Sequence, residues 1–286
     1  QLPGELVVVL FLPRVEPEVL QHDDVAWPHG LDGLPDVRPD DVLLQFLPFA
    51  HSFAKVIQAV WFRTGAEGAF VESLEKIMDN ASEVRPTIMP AVPRIFEKAF
   101  NTVVSKGLAT PGLKGKLFQL AMEGFEEYSN ARDAGKEYSG LKMVIARKLI
   151  FPKLKAALAE RFGGRMRLFV SGGAPLSTKI AYFFEQLGFV ILEGYGLTET
   201  SAASFVNRPG QVKIGTVGPA IPGTEVKIAE DGEILIKGPG VMKEYYRNPE
   251  ATAEAIKGGW FYTGDIGQLD EQGRLKITDR KKDIIV

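Results

Sequence analysis

Residues 165–200 read RMRLFVSGGAPLSTKIAYFFEQLGFVILEGYGLTET, and this stretch decides the fold. The apolar run at 165–170 has strand character and ends on Ser171-Gly172-Gly173-Ala174-Pro175, small residues that break it. A helix follows, starting near Pro175 or Leu176 and ending at Gly188. A second apolar run at 189–192 then leads into Glu193-Gly194-Tyr195-Gly196-Leu197-Thr198-Glu199-Thr200. Strand, helix and strand in this order make a crossover unit, the building block of a parallel sheet. Open sheets of that kind bind ligands beyond the carboxyl ends of their strands. Both strand ends here carry glycines, which let a flat or anionic group approach backbone N–H groups closely.

The same alternation continues toward the N-terminus. Residues 42–47 and 87–92 read as strands, followed by helical patterns at 54–62 and 94–104. Residues 113–161 form a long helical stretch with a break in the 135–140 region and a restart at Pro152. Beyond Asn207 the texture changes to short β-rich runs separated by turns at Pro222-Gly223, Asp231-Gly232 and Gln272-Gly273. The expected fold is therefore α/β: a mostly parallel sheet flanked by helices, then a smaller β-rich subdomain. Residues 37–206 are assigned to the first part, 207–279 to the second and 280–286 to a connecting segment. Residues 1–36 are read as a foreign or aberrant segment, because 1–40 hold six prolines and no Ser, Thr or Lys.

Bulk properties narrow the function. With 286 residues and 45% hydrophobic content the chain can bury a sizeable core. A net charge of -2 with interleaved signs gives no reason to expect a nucleic-acid partner. The absence of cysteine excludes disulfides, thiolate metal sites and cysteine nucleophiles. The apolar runs at 6–12 and 42–47 are well short of the roughly 20 residues of a spanning helix, so any membrane contact is expected to be peripheral. The expected location is cytoplasmic, and Gln1 is not expected to be a natural start.

Residues 193–200 offer what a nucleoside triphosphate needs. Tyr195 between two glycines can present its ring to a base, Thr198 can donate its hydroxyl to a phosphate oxygen, and Glu199 can give magnesium a hard oxygen ligand. Spacing alone also allows a plain turn followed by a capped helix.

The segment resembles the signature of the adenylate-forming superfamily, which comprises acyl-CoA and aryl-CoA synthetases, luciferases and peptide-synthetase adenylation domains. Tyr262-Thr263-Gly264-Asp265-Ile266-Gly267 and Asp279-Arg280-Lys281-Lys282-Asp283-Ile284 resemble later family segments in the same order. The resemblance implies that Tyr195 stacks on adenine, that Thr198 contacts phosphate and that Glu199 binds Mg2+. It also implies that Asp265 and Arg280 hold the ribose, with Gly172, Gly173, Ala174, Pro175, Glu193, Gly194, Gly196 and Leu197 lining the ATP site. Leu47-Pro48-Phe49-Ala50-His51-Ser52-Phe53 is similar to the segment whose histidine lies near the acid, so His51 is a candidate substrate residue. Lys282 corresponds to the hinge toward a C-terminal domain bearing a catalytic lysine.

Arg85-Pro86-Thr87, residues 92–98 and the long helical stretch resemble long-chain fatty acyl-CoA synthetases in particular. The implied reaction joins a fatty acid to CoA at the expense of ATP, through an acyl-adenylate, releasing AMP and pyrophosphate. Two features depart from the pattern. No Ser/Thr/Gly-rich loop ending in Pro-Lys-Gly precedes residue 42, and the sequence stops four residues after Lys282. The chain is thus expected to represent an incomplete portion of such an enzyme. The alternatives are a non-catalytic nucleotide- or acyl-binding remnant and an aromatic-acid CoA ligase.

Overall fold

Strand, helix and strand form where residues 165–200 place them, within a computed structural model that describes residues 37–281. Along the chain the elements are β1 (Val42–Gln45), α1 (Ser52–Thr64), β2 (Glu67–Phe70), α2 (Ile77–Val84), β3 (Ile88–Ala91), α3 (Pro93–Leu108), α4 (Gly112–Asp133), α5 (Leu141–Ile145) and α6 (Phe151–Arg161). They continue with β4 (Leu168–Ser171), α7 (Thr178–Gln186), β5 (Val190–Tyr195), β6 (Phe205–Val206), β7 (Glu225–Ile228), β8 (Glu233–Lys237), α8 (Pro249–Ala255), β9 (Ile256–Lys257), β10 (Trp260–Leu269) and β11 (Leu275–Arg280). Contacts divide the chain into two units.

The first unit takes residues 42–46 and 68–191 of the described chain. Within it the strands lie in the order β2-β1-β3-β4, followed by the first two residues of β5. β1 pairs with β3 and β3 with β4 in parallel, the latter register running from Ile88 opposite Leu168 to Ala91 opposite Ser171. Every residue of β1, β3 and β4 is buried, as expected for parallel strands covered on both faces. The cover is largely aromatic. Phe96 of α3 meets Phe169 of β4 edge-on at 5.4 Å and Phe184 of α7 at 5.3 Å, while Phe183 meets Phe100 at 4.9 Å and Phe125 of α4 at 5.6 Å. Edge-to-face rings at these separations add attraction beyond the area they bury.

The expected break at 135–140 falls between α4 and α5, and Pro152 stands in the first turn of α6, where its missing N–H costs nothing. A π-helical turn at Ala146–Ile150 joins α5 to α6. Nothing in its composition signals the extra residue.

The second unit takes residues 37–41, 47–67 and 192–281. It includes α1, whose buried Ala54, Ile57, Val60 and Trp61 recur at helical spacing on one face. The end of β5 pairs antiparallel with β6, Gly194 opposite Val206 and Tyr195 opposite Phe205. An antiparallel sheet follows in the order β11-β10-β8-β7, with β9 alongside β10. Phe205, Ile234, Ile236 and Leu275 form its core. Because Phe205 packs there, the division between units falls at residues 191/192, whereas the change in sequence texture falls at 206/207.

Candidate functional site

Tyr195 is the last residue of β5, and its place in the ladder opposite Phe205 fixes its backbone. Its phenol donates to Asp265 Oδ2 at 2.6 Å. Burial, and next the hydrogen bond to a carboxylate, push this phenol far above the usual tyrosine range, so it stays a neutral donor. The chain then turns sharply. A Cβ at Gly196 would stand 1.9 Å from the Ala202 carbonyl oxygen, so only glycine fits.

Asp265 sits on a bulge of β10. Tyr262 pairs with Leu235 and Ile266 with Glu233, so Thr263, Gly264 and Asp265 stand opposite Ile234 alone. Gly264 takes φ 72° to make the bend. The backbone groups that the bulge releases from the ladder find side chains instead. Gly264 N–H donates to Glu233 Oε1 at 2.8 Å and Asp265 N–H to Thr263 Oγ1 at 3.1 Å, while the Thr263 hydroxyl donates to the Ile234 carbonyl at 2.8 Å. The Asp265 carboxylate is buried, and Arg280, opposite it on β11, brings Nε to 3.4 Å from Oδ1. Lys281 Nζ lies 2.7 Å from both Asp231 Oδ2 and Glu233 Oε2, and these two partners raise its pKa above the ordinary lysine range.

Glu199 lies in a single 3₁₀ turn, Thr198–Thr200, braced by the Leu197 N–H donating to Thr200 Oγ1 at 2.9 Å. Its carbonyl accepts from Met242 N–H at 2.7 Å, and its Oε1 accepts from the Tyr245 hydroxyl at 3.0 Å. Burial first, then this carboxylate, raises the Tyr245 pKa. Thr198 is exposed. Ser201 and Ala202 follow in the left-handed region at φ 57° and 76°, and the Ser201 hydroxyl donates to the Gly240 carbonyl at 2.8 Å. Two consecutive non-glycine residues in that conformation cost of order 1–3 kcal/mol each, a strain associated with functional turns.

The structure thus brings Tyr195, Asp265 and Arg280 together and sets Thr198 and Glu199 on the turn after Tyr195. Glu193, Gly194 and Leu197 are half-buried backbone neighbours of that turn. Gly172, Gly173, Ala174 and Pro175 follow β4 in the first unit, with Gly172 buried and the other three exposed. The preceding Ser171 hydroxyl is buried without a protein partner. His51 is exposed at the N-cap of α1, and its side chain caps nothing. Lys282 and the segment 1–36 lie outside the described residues. Sequence reading missed Glu233 and Tyr245, which bond to a backbone amide and to Glu199, neighbours that no local pattern announces.

A magnesium ion fits one side chain here. Glu199 offers a half-buried hard oxygen donor whose partner is a neutral phenol, and no cation pairs with it among the described residues. Magnesium commonly takes only one or two protein carboxylates, with phosphate and water completing its shell. The described residues hold no group of three or more His, Asp or Glu that could form an all-protein cage. Among the described residues no helix is long and apolar enough to cross a membrane.

A largely parallel sheet flanked by helices and followed by an antiparallel sheet defines an α/β class. The chain belongs to the AMP-binding enzyme family, whose model matches residues 19–246 and so reaches into the segment set apart on composition. It is 40% identical over 252 residues to the long-chain-fatty-acid–CoA ligase FadD15 of Mycobacterium tuberculosis, covering 87% of this chain and 41% of that protein. It is 36% identical over 262 residues to human long-chain-fatty-acid–CoA ligase 1, covering 86% and 36%. The chain therefore spans less than half the length of these curated relatives. Among solved structures, ATP-bound MatB from Rhodopseudomonas palustris superposes with a TM-score of 0.60 at 26% identity, over 87% of this chain and 42% of that one. The N-terminal domain of FACL13 from Mycobacterium tuberculosis gives 0.59 at 26%, over 86% and 52%.

Proposed function

We propose that this chain is the nucleotide-binding portion of an ATP-dependent long-chain fatty acid–CoA ligase. The observation that carries the reading is the 2.6 Å hydrogen bond from Tyr195 to Asp265, which joins two nucleotide motifs far apart in sequence. The substrate class rests on relatives named as long-chain-fatty-acid–CoA ligases.

In the first half-reaction a carboxylate oxygen of the acid attacks the α-phosphorus of ATP and the bond to pyrophosphate breaks. In the second the CoA thiol attacks the acyl carbonyl, loses its proton, and AMP departs. Positioning and electrostatics dominate such phosphoryl chemistry. The Tyr195 ring, held by its own hydroxyl, receives the adenine face. Asp265, with two lone-pair sites occupied by Tyr195 and Arg280, keeps others for the ribose 2′- and 3′-hydroxyls. Thr198 donates to phosphate, and Glu199 would hold magnesium, which neutralises phosphate charge when bound. His51 faces the acid, the strand-end residues Gly172 to Pro175 contribute backbone to the nucleotide, and Lys282 is the hinge.

The test is acid-dependent ATP–pyrophosphate exchange by the complete gene product against a panel of fatty and aromatic acids. Exchange with long-chain acids supports the reading, and exchange only with aromatic acids redirects it to an aryl ligase. AMP binding without exchange leaves a nucleotide-binding module. Glu199→Ala is expected to lower exchange about a hundredfold. Metal-free AMP affinity should stay as it is, and loss of both would contradict the magnesium role.

A further inference from the structure

The bulge that carries Asp265 is held by a carboxylate outside the nucleotide motifs. Glu233 opens β8 and is only 4% exposed. A buried carboxylate is costly unless both oxygens are satisfied, and here they are. Oε1 accepts the Gly264 N–H at 2.8 Å, and Oε2 accepts the Lys281 ammonium at 2.7 Å. The Gly264 amide needs such a partner because three residues of β10 stand opposite one of β8 at this point. Glu233 fixes the peptide on one side of Gly264, and Thr263 Oγ1 fixes the Asp265 N–H on the other. The two peptides that flank Gly264, the second of them carrying the Asp265 N–H, are thus both pinned. Arg280 and Lys281, consecutive at the end of β11, then address the two carboxylates, Asp265 and Glu233, in turn.

We propose that Glu233 is a positioning residue for ribose recognition: it anchors the Gly264 amide and the Lys281 ammonium so that Asp265 and Arg280 meet the 2′- and 3′-hydroxyls in one fixed geometry. The inference rests on the ribose role of Asp265 given above. It also explains why a charged group occupies a buried place beside a site it does not enter.

The test compares binding of AMP and 2′,3′-dideoxy-AMP by titration calorimetry on the 286-residue chain and four variants. These are Glu233→Ala, Glu233→Gln, Asp265→Ala and the Glu233→Ala/Asp265→Ala pair. Glu233→Ala should weaken AMP about tenfold, the worth of one or so charge-assisted hydrogen bonds, and leave the dideoxy analogue unaffected. Glu233→Gln keeps an oxygen for Gly264 N–H and should recover most of the loss. The paired variant should bind AMP no more weakly than Asp265→Ala, because Glu233 acts through Asp265. Additive losses, or equal weakening of both ligands by Glu233→Ala, would overturn the proposal and leave a purely structural carboxylate. A failure of the ribose reading looks different: Asp265→Ala itself would keep the full preference for AMP over its dideoxy analogue. If Glu233→Ala does not fold, Glu233→Met replaces it throughout, filling similar volume without an acceptor.

Discussion

Both units have an apolar core, but the second adds a polar device that the first lacks among the contacts described. In the first, rings of α3, α4 and α7 pack edge-on against each other and against β4, and Phe96, Phe125, Phe169, Phe183 and Phe184 are wholly buried. In the second, the shape that matters is a distorted strand whose displaced amides are caught by Thr263 and Glu233. Apolar packing is non-directional and tolerates no lost volume, whereas polar bracing is directional and sets angles. Damage to the first unit should therefore register as lost stability, and damage to the second as lost recognition.

Phe183→Ala probes the stability side and carries the largest expected effect. It removes a fully buried ring that touches Phe100, Phe125, Phe151 and Phe184, and should cost about 3–5 kcal/mol in chemical denaturation. A loss below about 1 kcal/mol would mean the aromatic cluster is not what holds that unit.

On the recognition side, Gly196→Ala comes next. The added methyl must displace the Ala202 carbonyl and the turn bearing Thr198 and Glu199, so AMP affinity should fall at least tenfold, by about 1.4 kcal/mol or more, with a smaller change in the denaturation midpoint. Unchanged affinity would separate the turn from the nucleotide.

The smallest expected effect is that of Tyr195→Phe, which deletes one hydroxyl and keeps the ring. A few-fold loss of AMP affinity is expected from freeing Asp265, together with about 1–2 kcal/mol of stability. The pH dependence fixes the sign. The folded pKa of Tyr195 is raised above its ordinary value of 10.0, so the contribution is complete below that pH and disappears as the pH climbs toward the folded value. Alkaline denaturation should show this slope in the wild type and a shallower one in Tyr195→Phe. Identical slopes would remove the Tyr195–Asp265 bond from the stability of this unit.

The same contrast explains what could be read from residues alone. β3 and β4 announce themselves as short, nearly unbroken apolar runs, α3 and α7 by apolar side chains recurring at the helical period, and the glycines after β4 and β5 mark where each strand stops. β2 reads Glu-Gly-Ala-Phe, without the apolar run of the other strands, β6 is only two residues long, and the π-helical turn adds one residue to a pattern that a helix already satisfies. The site was legible only through its likeness to a known family. Spacing cannot say that Tyr195 meets Asp265, because the contact depends on where β10 bulges, and Glu233 takes up the amide that the bulge releases. A carboxylate whose partners are a backbone amide and a lysine 48 residues away leaves no local signature.

The second unit draws on residues 47–67 and on 192–281, with the first unit's main segment encoded between them. A chain emerging from the ribosome therefore presents α1, with Ala54, Ile57, Val60 and Trp61 along one face, long before the strands of its own unit exist. Contacts of such long sequence separation are slow to form, and the apolar stripe is exposed to solvent or to chaperones while synthesis continues. The discontinuity makes the aromatic unit the one that can finish first, and leaves the unit that carries the bulged strand to close last.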